Sequence, residues 1–384
     1  MEGHAEVATK NGSSPTGAYL NGTLAYQLTD PRTAALFAPL WDEGTGNWTV
    51  LPNAKVWFNE NALTQGVNGS VIPSTPADAS FGSLTVGYGC GADPNLIGPE
   101  LGFGFGMTSI LPAGEKFLIM KTAWGGKSLA GDFRPPTSVA NPDPFCQGAS
   151  CPNVVGHFYE VMVNDIHRML APGAVAQMFP DLAGLTPVLA GFGWSQGWND
   201  GCSENDTAAY EQNFVNLVRD LRAEFGMPAL PFSTSVAGFN GFDGAEATRR
   251  PPGYWPDFAP GPKVSTTCAP FARACLRLDI VLSQLAAANA TRHPELGGHV
   301  VAMETRQFWR DPQYSPDPNE GYHYYHNVRS GLIASPPTPR ATHAFSPCPA
   351  LPKRSARARA LQAETYYLSG LAMAQGMAMA MSAA

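Results

Sequence analysis

Four short apolar runs constrain this chain more than anything else in it: "KFLIMKTA" (residues 116–123), "PVLAGFGW" (187–194), "LPFSTSVAG" (230–238) and "HVVAMET" (299–305). Each has the length of a buried strand, and each gives way to glycine or polar residues at its end. Between them the period changes. Over 206–225, Tyr210, Phe214, Leu217, Leu221 and Phe225 recur at steps of three and four, which is one face of a helix. Asp206 reads as the N-cap of that helix and Gly226 as its stop. Residues 153–171 and 270–290 carry the same period. Strands alternating with helices predict an α/β fold: a three-layer α/β/α, flavodoxin-like parallel sheet with its functional site at the carboxyl ends of the strands.

The first hundred residues contrast with this, being rich in turn formers and poor in periodicity. Across the 384 residues hydrophobic types make up 44% and charged types 14%, with 40 glycines and 35 prolines, so long ordered loops should surround a substantial core. The net charge is −7 and no basic stripe forms, which argues against nucleic acid as a partner. No apolar stretch reaches the roughly 18 residues of a membrane span. Six Asn-x-Ser/Thr tripeptides, at Asn11, Asn21, Asn47, Asn68, Asn205 and Asn289, accompany seven cysteines. Together they point to a secreted, glycosylated product, although an odd cysteine count sits badly with that. No cysteine spacing makes a four-ligand zinc pattern, and no metal or other cofactor is called for.

The unusual residues gather where the strands end. Residues 116–123 run into "WGGKSL" and residues 187–194 into "SQGWND", with "GPELGFGFG" (98–106) ahead of both. Glycines in such places either make tight turns or let a backbone N–H approach a ligand. Gln196 would carry an amide donor into the same cleft, or serve as an ordinary loop hydrogen-bonder. Trp124, Trp194, Trp198, Tyr254 and Trp255 could stack on a sugar, or pack in the core.

Taken in order, "GPELGFG", "IMKTAWGGKSLAGDFRPP" (119–136), "GFGWSQGWND" (191–200), "VRDLRAEFGMPALPF" (218–232) and "GYHYYHN" (321–327) resemble the sialate O-acetylesterase and acetyl xylan esterase group, carbohydrate esterase family 6, among the SGNH-type hydrolases. The resemblance implies a serine carbohydrate O-acetylesterase acting through an acyl-enzyme on acetylated sugars or polysaccharides. It places the catalytic base at His323 and its carboxylate at Glu320, where the family has Asp. Oxyanion donors would be the Gln196 side chain and a backbone N–H near Gly125. It puts Trp198, Asp200 and Glu100 in the substrate-binding set, with Trp198 standing where the family pattern usually has Glu. His326 reads as a surface histidine.

In that family the first strand leads into Gly-Gln-Ser-Asn-Met-Glu-Gly and the Ser is the nucleophile. "MEGHA" at Met1 matches the part of that motif beyond the Ser, so the nucleophile and the first, central strand are expected upstream of Met1. The sheet of residues 1–384 should then carry an internal edge. No Gly-x-Ser-x-Gly elbow offers a substitute, Ser128 being the nearest candidate. Family members also run from the histidine motif straight into a last helix, whereas here 35 residues, 328–362, intervene. They are Pro- and Arg-rich, include Cys348, and begin with a Val and end with a Gln, whose codons permit GT…AG boundaries. That segment reads as a retained in-frame intron, with a surface insertion or a basic linker as the alternatives. The domain would thus span 1–327 and finish in a helix at 363–384. A catalytically inactive carbohydrate-binding relative is the alternative function. A flavodoxin-like small-molecule binder would need a phosphate loop opening a helix, which "GPELGFGFG" does not supply.

Overall fold

The computed structural model describes residues 3–8, 19, 22–59, 79–144, 151–238, 272–308 and 364–383. Its main elements in chain order are β1 (Ala54–Asn59), β2 (Ala79–Ser83), α1 (Pro99–Ile110), β3 (Phe117–Lys121), α2 (His157–Leu170), β4 (Phe192–Trp194), α3 (Glu204–Glu224), β5 (Phe232–Ser235), α4 (Ala272–Ala287), β6 (Val300–Met303) and α5 (Glu364–Ser382). The fold is mixed α/β. All four strands expected from the apolar runs are present as β3, β4, β5 and β6, each shorter than its run.

They do not share one sheet among the described residues. β1 pairs in parallel with β3 and antiparallel with β2, giving the order β2-β1-β3. β5 pairs in parallel with both β4 and β6, giving β4-β5-β6. No backbone hydrogen bond joins β3 to β4 among these residues. The middle strand of each set is buried at every position, whereas β3 is half-buried over Phe117–Met120 and Gly193 of β4 is exposed. β3 and β4 are each the last strand of their set among the described residues.

The faces of β3 are covered by different helices. Phe117 joins the cluster of Met107 and Met377 from α1 and α5, while Leu118 and Met120 join Trp57, Met169 and Val175 on the side of α2. This is the alternation that a strand imposes on successive side chains. α2 forms because Phe158, Val161, Met162, Ile166 and Met169 fall on one stripe. α3 begins earlier than the sequence suggests. Its N-cap is Ser203, whose Oγ accepts from the Asp206 N–H, so Asp206 lies in the first turn and is not the cap. Arg222 near its end donates to Leu230 O at 2.9 Å and Leu296 O at 2.8 Å, fixing the loops that enter β5 and β6.

The "GPELGFGFG" segment is the clearest departure. Instead of a ligand-approaching loop it forms α1, and its glycines serve helix packing. A Cβ on Gly102 would lie 1.8 Å from Tyr367 O, and one on Gly370 of α5 would lie 2.0 Å from Pro99 O. Glycine in a helix costs roughly 0.5–1 kcal/mol relative to alanine. Here it permits backbone contact between α1 and α5, and that packing offsets the cost. Gly102→Val should therefore undock α5 and cost about 3 kcal/mol. Ser109→Ala, towards the far end of the same helix, should stay within about 0.5 kcal/mol. Urea unfolding of the two variants compares them directly.

Candidate active site

The loops after β3 and β4 meet through one carboxylate. Asp200 is fully buried; its Oδ2 accepts from Leu129 N at 2.8 Å and its Oδ1 from Ala130 N at 2.9 Å. Gln196 Nε2 adds a third donor to Oδ2 at 2.6 Å, and also donates to Lys127 O at 3.1 Å. The turn 124–130 after β3 is thereby clamped onto the loop 195–200 after β4. Gly126, at φ +72°, is where that turn needs the left-handed region.

The backbone of Gln196 is pinned separately. Its carbonyl accepts from Tyr210 Oη at 3.2 Å and from Gln284 Nε2 at 2.8 Å, while Gln284 Oε1 accepts from Ala237 N at 2.7 Å. Ser195 and Ser235, at the ends of β4 and β5, are joined Oγ to Oγ at 2.7 Å. Tyr210 looks in sequence like one more apolar position on the α3 stripe. Gln284 carries a fainter signal, a polar residue on the buried side of a helical period.

Several expected residues are engaged in holding the fold together. Asp200 has no exposed surface and holds the two loops together. Glu100 is also buried: Oε1 accepts from Gly98 N at 2.7 Å and Oε2 pairs with Lys121 Nζ at 3.0 Å, which ties the start of α1 to the end of β3. Lys121 Nζ reaches Tyr88 O as well. Gln196 uses both Nε2 hydrogens within the protein, on Lys127 O and Asp200 Oδ2; its Oε1 is buried and has no partner among the described residues. Trp124 and Trp194 pack with Phe133 and Phe158 at ring separations of 4.8–6.0 Å, so they are core. Ser128 Oγ accepts from Gly131 N, capping the turn, and donates to Asp132 Oδ2 at 3.2 Å, with no histidine hydrogen-bonded to it among the described residues.

Gly125 is exposed and Trp198 half-buried; both border, together with Glu100, Trp124, Trp194 and Gln196, a cavity of about 1190 Å³ that opens between β3 and β4. His323, Glu320, His326, Tyr254, Trp255 and residues 328–362 lie outside the described residues.

Burial pushes the Asp200 carboxyl up to about 7, against the pull of its three N–H donors. A carboxyl whose folded pKa is raised favours the folded state most below its unfolded pKa. Its contribution then declines as pH rises toward the folded value. Asp200→Asn should flatten the fall in stability between about pH 4 and 7. It should also cost about 2–3 kcal/mol, because its NH₂ would face N–H donors. Chemical denaturation at several pH values reads both effects. Glu100→Ala, which leaves the Lys121 ammonium buried without its carboxylate, should cost about 3–5 kcal/mol in the same measurement.

Among solved structures the chain is similar to a protein from Arabidopsis thaliana, with 14% identity over 88% of this chain and 89% of that one and a TM-score of 0.39. It is also similar to a carbohydrate acetylesterase from Xanthomonas citri, with 15% identity over 78% of this chain and 50% of that one and a TM-score of 0.40. No curated protein matches. Residues 85–248, which hold the turn after β3, the Asp200 clamp and Gln196, match the family model for carbohydrate esterase, sialic acid-specific acetylesterase, so the resemblance drawn from the motifs holds.

Proposed function

We propose that this chain is the larger part of a serine carbohydrate O-acetylesterase with a three-layer SGNH-type fold, whose nucleophile is a Ser on a segment preceding Met1. The family match over residues 85–248 carries the reading, because that stretch contains both loops of the site. The Ser attacks the acetyl carbonyl and His323, oriented by Glu320, takes its proton and returns it to the leaving sugar hydroxyl. Water then hydrolyses the acyl-enzyme. The exposed Gly125 supplies a backbone N–H to the oxyanion. Gln196 contributes by exchanging Lys127 O, the longer of its two contacts, for the oxyanion, while Asp200 keeps hold of the other hydrogen.

The test is acetate release from acetylated xylan and acetylated sialic acid. It uses the 384-residue chain and the chain extended by its upstream coding segment. The extended protein should be active and the shorter one should not. In the extended protein His323→Ala should lower kcat by about 10⁴, and Gln196→Ala by about 10²–10³. An extended protein that binds acetylated sugar without releasing acetate would instead favour the non-catalytic relative.

We also propose that the protein is secreted and glycosylated. Asn47, Asn205 and Asn289 support this, being the three tripeptide asparagines among the described residues, with Asn47 and Asn289 on the surface and Asn205 in the first turn of α3. Protein from a eukaryotic secretory host should shift to lower mass on endoglycosidase treatment.

A further inference from the structure

We infer that Gln284 of α4 is a positioning residue for Gln196: one buried amide fixes the backbone from which the Gln196 side chain turns toward the reacting carbonyl. This role rests on the esterase reading above and adds to it a residue beyond the stretch 85–248 that matches the family.

Gln284 stands where an apolar residue is expected. Ile280, Gln284 and Ala287 follow steps of four and three along the buried stripe of α4, with almost no exposed surface. An amide without access to water is costly unless each of its polar groups finds a partner. Gln284 meets that condition in full. Its Oε1 accepts from Ala237 N at 2.7 Å, and its Nε2 donates to Gln196 O at 2.8 Å and to Tyr210 Oη at 3.2 Å. These partners fix which way round the amide lies, since Ala237 N only donates and Gln196 O only accepts. They also fix the Tyr210 proton. Tyr210 Oη accepts from Gln284 and from Trp194 Nε1, so its single O–H is left for Gln196 O at 3.2 Å. The Gln196 carbonyl thus receives one donor from α3 and one from α4.

That carbonyl needs holding because of the residue after it. Gly197 has φ +152°, and a Cβ there would lie 2.7 Å from Ile280 Cγ2 and 3.1 Å from Ala237 Cβ. Packing beneath α4 therefore requires glycine. Glycine in turn lowers the steric barrier that keeps the 196–197 peptide from rotating. The two hydrogen bonds to Gln196 O supply the restraint that a side chain at 197 cannot. To reach an oxyanion the Gln196 side chain lets go of Lys127 O, the longer of its two contacts, and it needs a fixed main chain to turn from. A misplacement of about 1 Å at that point costs on the order of 10²-fold in rate. Asp200 cannot provide this restraint, because it holds the side chain that moves and not the backbone.

The test is a mutant cycle in the chain extended by its upstream coding segment, read as acetate release from acetylated xylan. Gln284→Leu, apolar and similar in size, should lower kcat about 10–100-fold with KM changed less than about threefold. In the Gln196→Ala background the same substitution should change kcat less than about threefold, because the residue it positions is gone. Gln284→Glu gives a second signature. Its protonated carboxyl donates to Gln196 O and accepts from Ala237 N, whereas the carboxylate turns a bare oxygen on that carbonyl. The titratable groups towards Gln284 are Tyr210 and Asp200, which acts on Tyr210 electrostatically. Both are common to variant and wild type, so the ratio of their kcat values isolates the new carboxyl. Burial raises the pKa of such a carboxyl, so that ratio should rise at least about threefold from about pH 8 to about pH 6. Equal losses from Gln284→Leu in the two backgrounds, or a flat ratio for Gln284→Glu, would overturn the positioning role and leave the esterase reading standing. An extended wild-type protein that releases no acetate would overturn the esterase reading, and this role with it. If Gln284→Leu does not fold, the Gln284→Glu profile decides.

Discussion

The contact on which the arrangement depends is the grip of the Asp200 carboxylate on the Leu129 and Ala130 amides. Two sheets with no shared ladder among the described residues have no backbone pairing there to keep their carboxyl ends together. A carboxylate without solvent is a costly way to supply such a tie, tolerable only because three donors surround it. The clamp makes the two strand-end loops behave as one unit. It leaves Gln196 held by its backbone through Tyr210 and Gln284 and by its side chain through Asp200. Gln196 is thus held in place at both its backbone and its side chain.

The second tie is the contact of α1 with α5. Residues 99–110 and 364–382 are far apart in sequence, yet their glycines bring the two backbones into direct contact. α5 also packs on β5 and β6, so it bridges from the α1–β3 side of the molecule to the other sheet. Among the described residues the two sheets are therefore joined by helices and loops rather than by strands. Contacts of such wide sequence separation slow folding, because loop closure has to precede them.

Much of the framework is legible in the sequence. β3, β4, β5 and β6 announce themselves as apolar runs because a strand covered on both sides needs no polar alternation. α2 and α3 emerge from their stripes. β1 is hidden because "AKVWFN" carries Lys55 and Asn59 in a loop-rich setting, and tertiary partners satisfy both: Lys55 meets Asp181 at 2.8 Å and Asn59 donates to Asp165. α1 is hidden because its glycines argue locally against a helix, and only the partner helix makes them favourable. At the site the motifs draw attention to Glu100, Gln196 and Asp200 without showing how each is buried or bonded. Glu100 and Asp200 are polar residues in a family motif, which suggests ligand contact, and their burial is visible only once Lys121 and the 129–130 amides are in place. The two catalytic candidates His323 and Glu320 rest on the motif alone.

The methionines around the cavity between β3 and β4 carry a consequence of their own. Met107, Met162, Met169, Met373 and Met377 all border it, and each is an unbranched, polarizable side chain able to refill a gap of changed shape. A wall of branched residues would select one shape by fit. This wall yields, so its shape follows that of whatever lies against it. Substitutions nearby would be absorbed by rotamer changes among these methionines, whereas the glycine contacts between α1 and α5 leave no such slack.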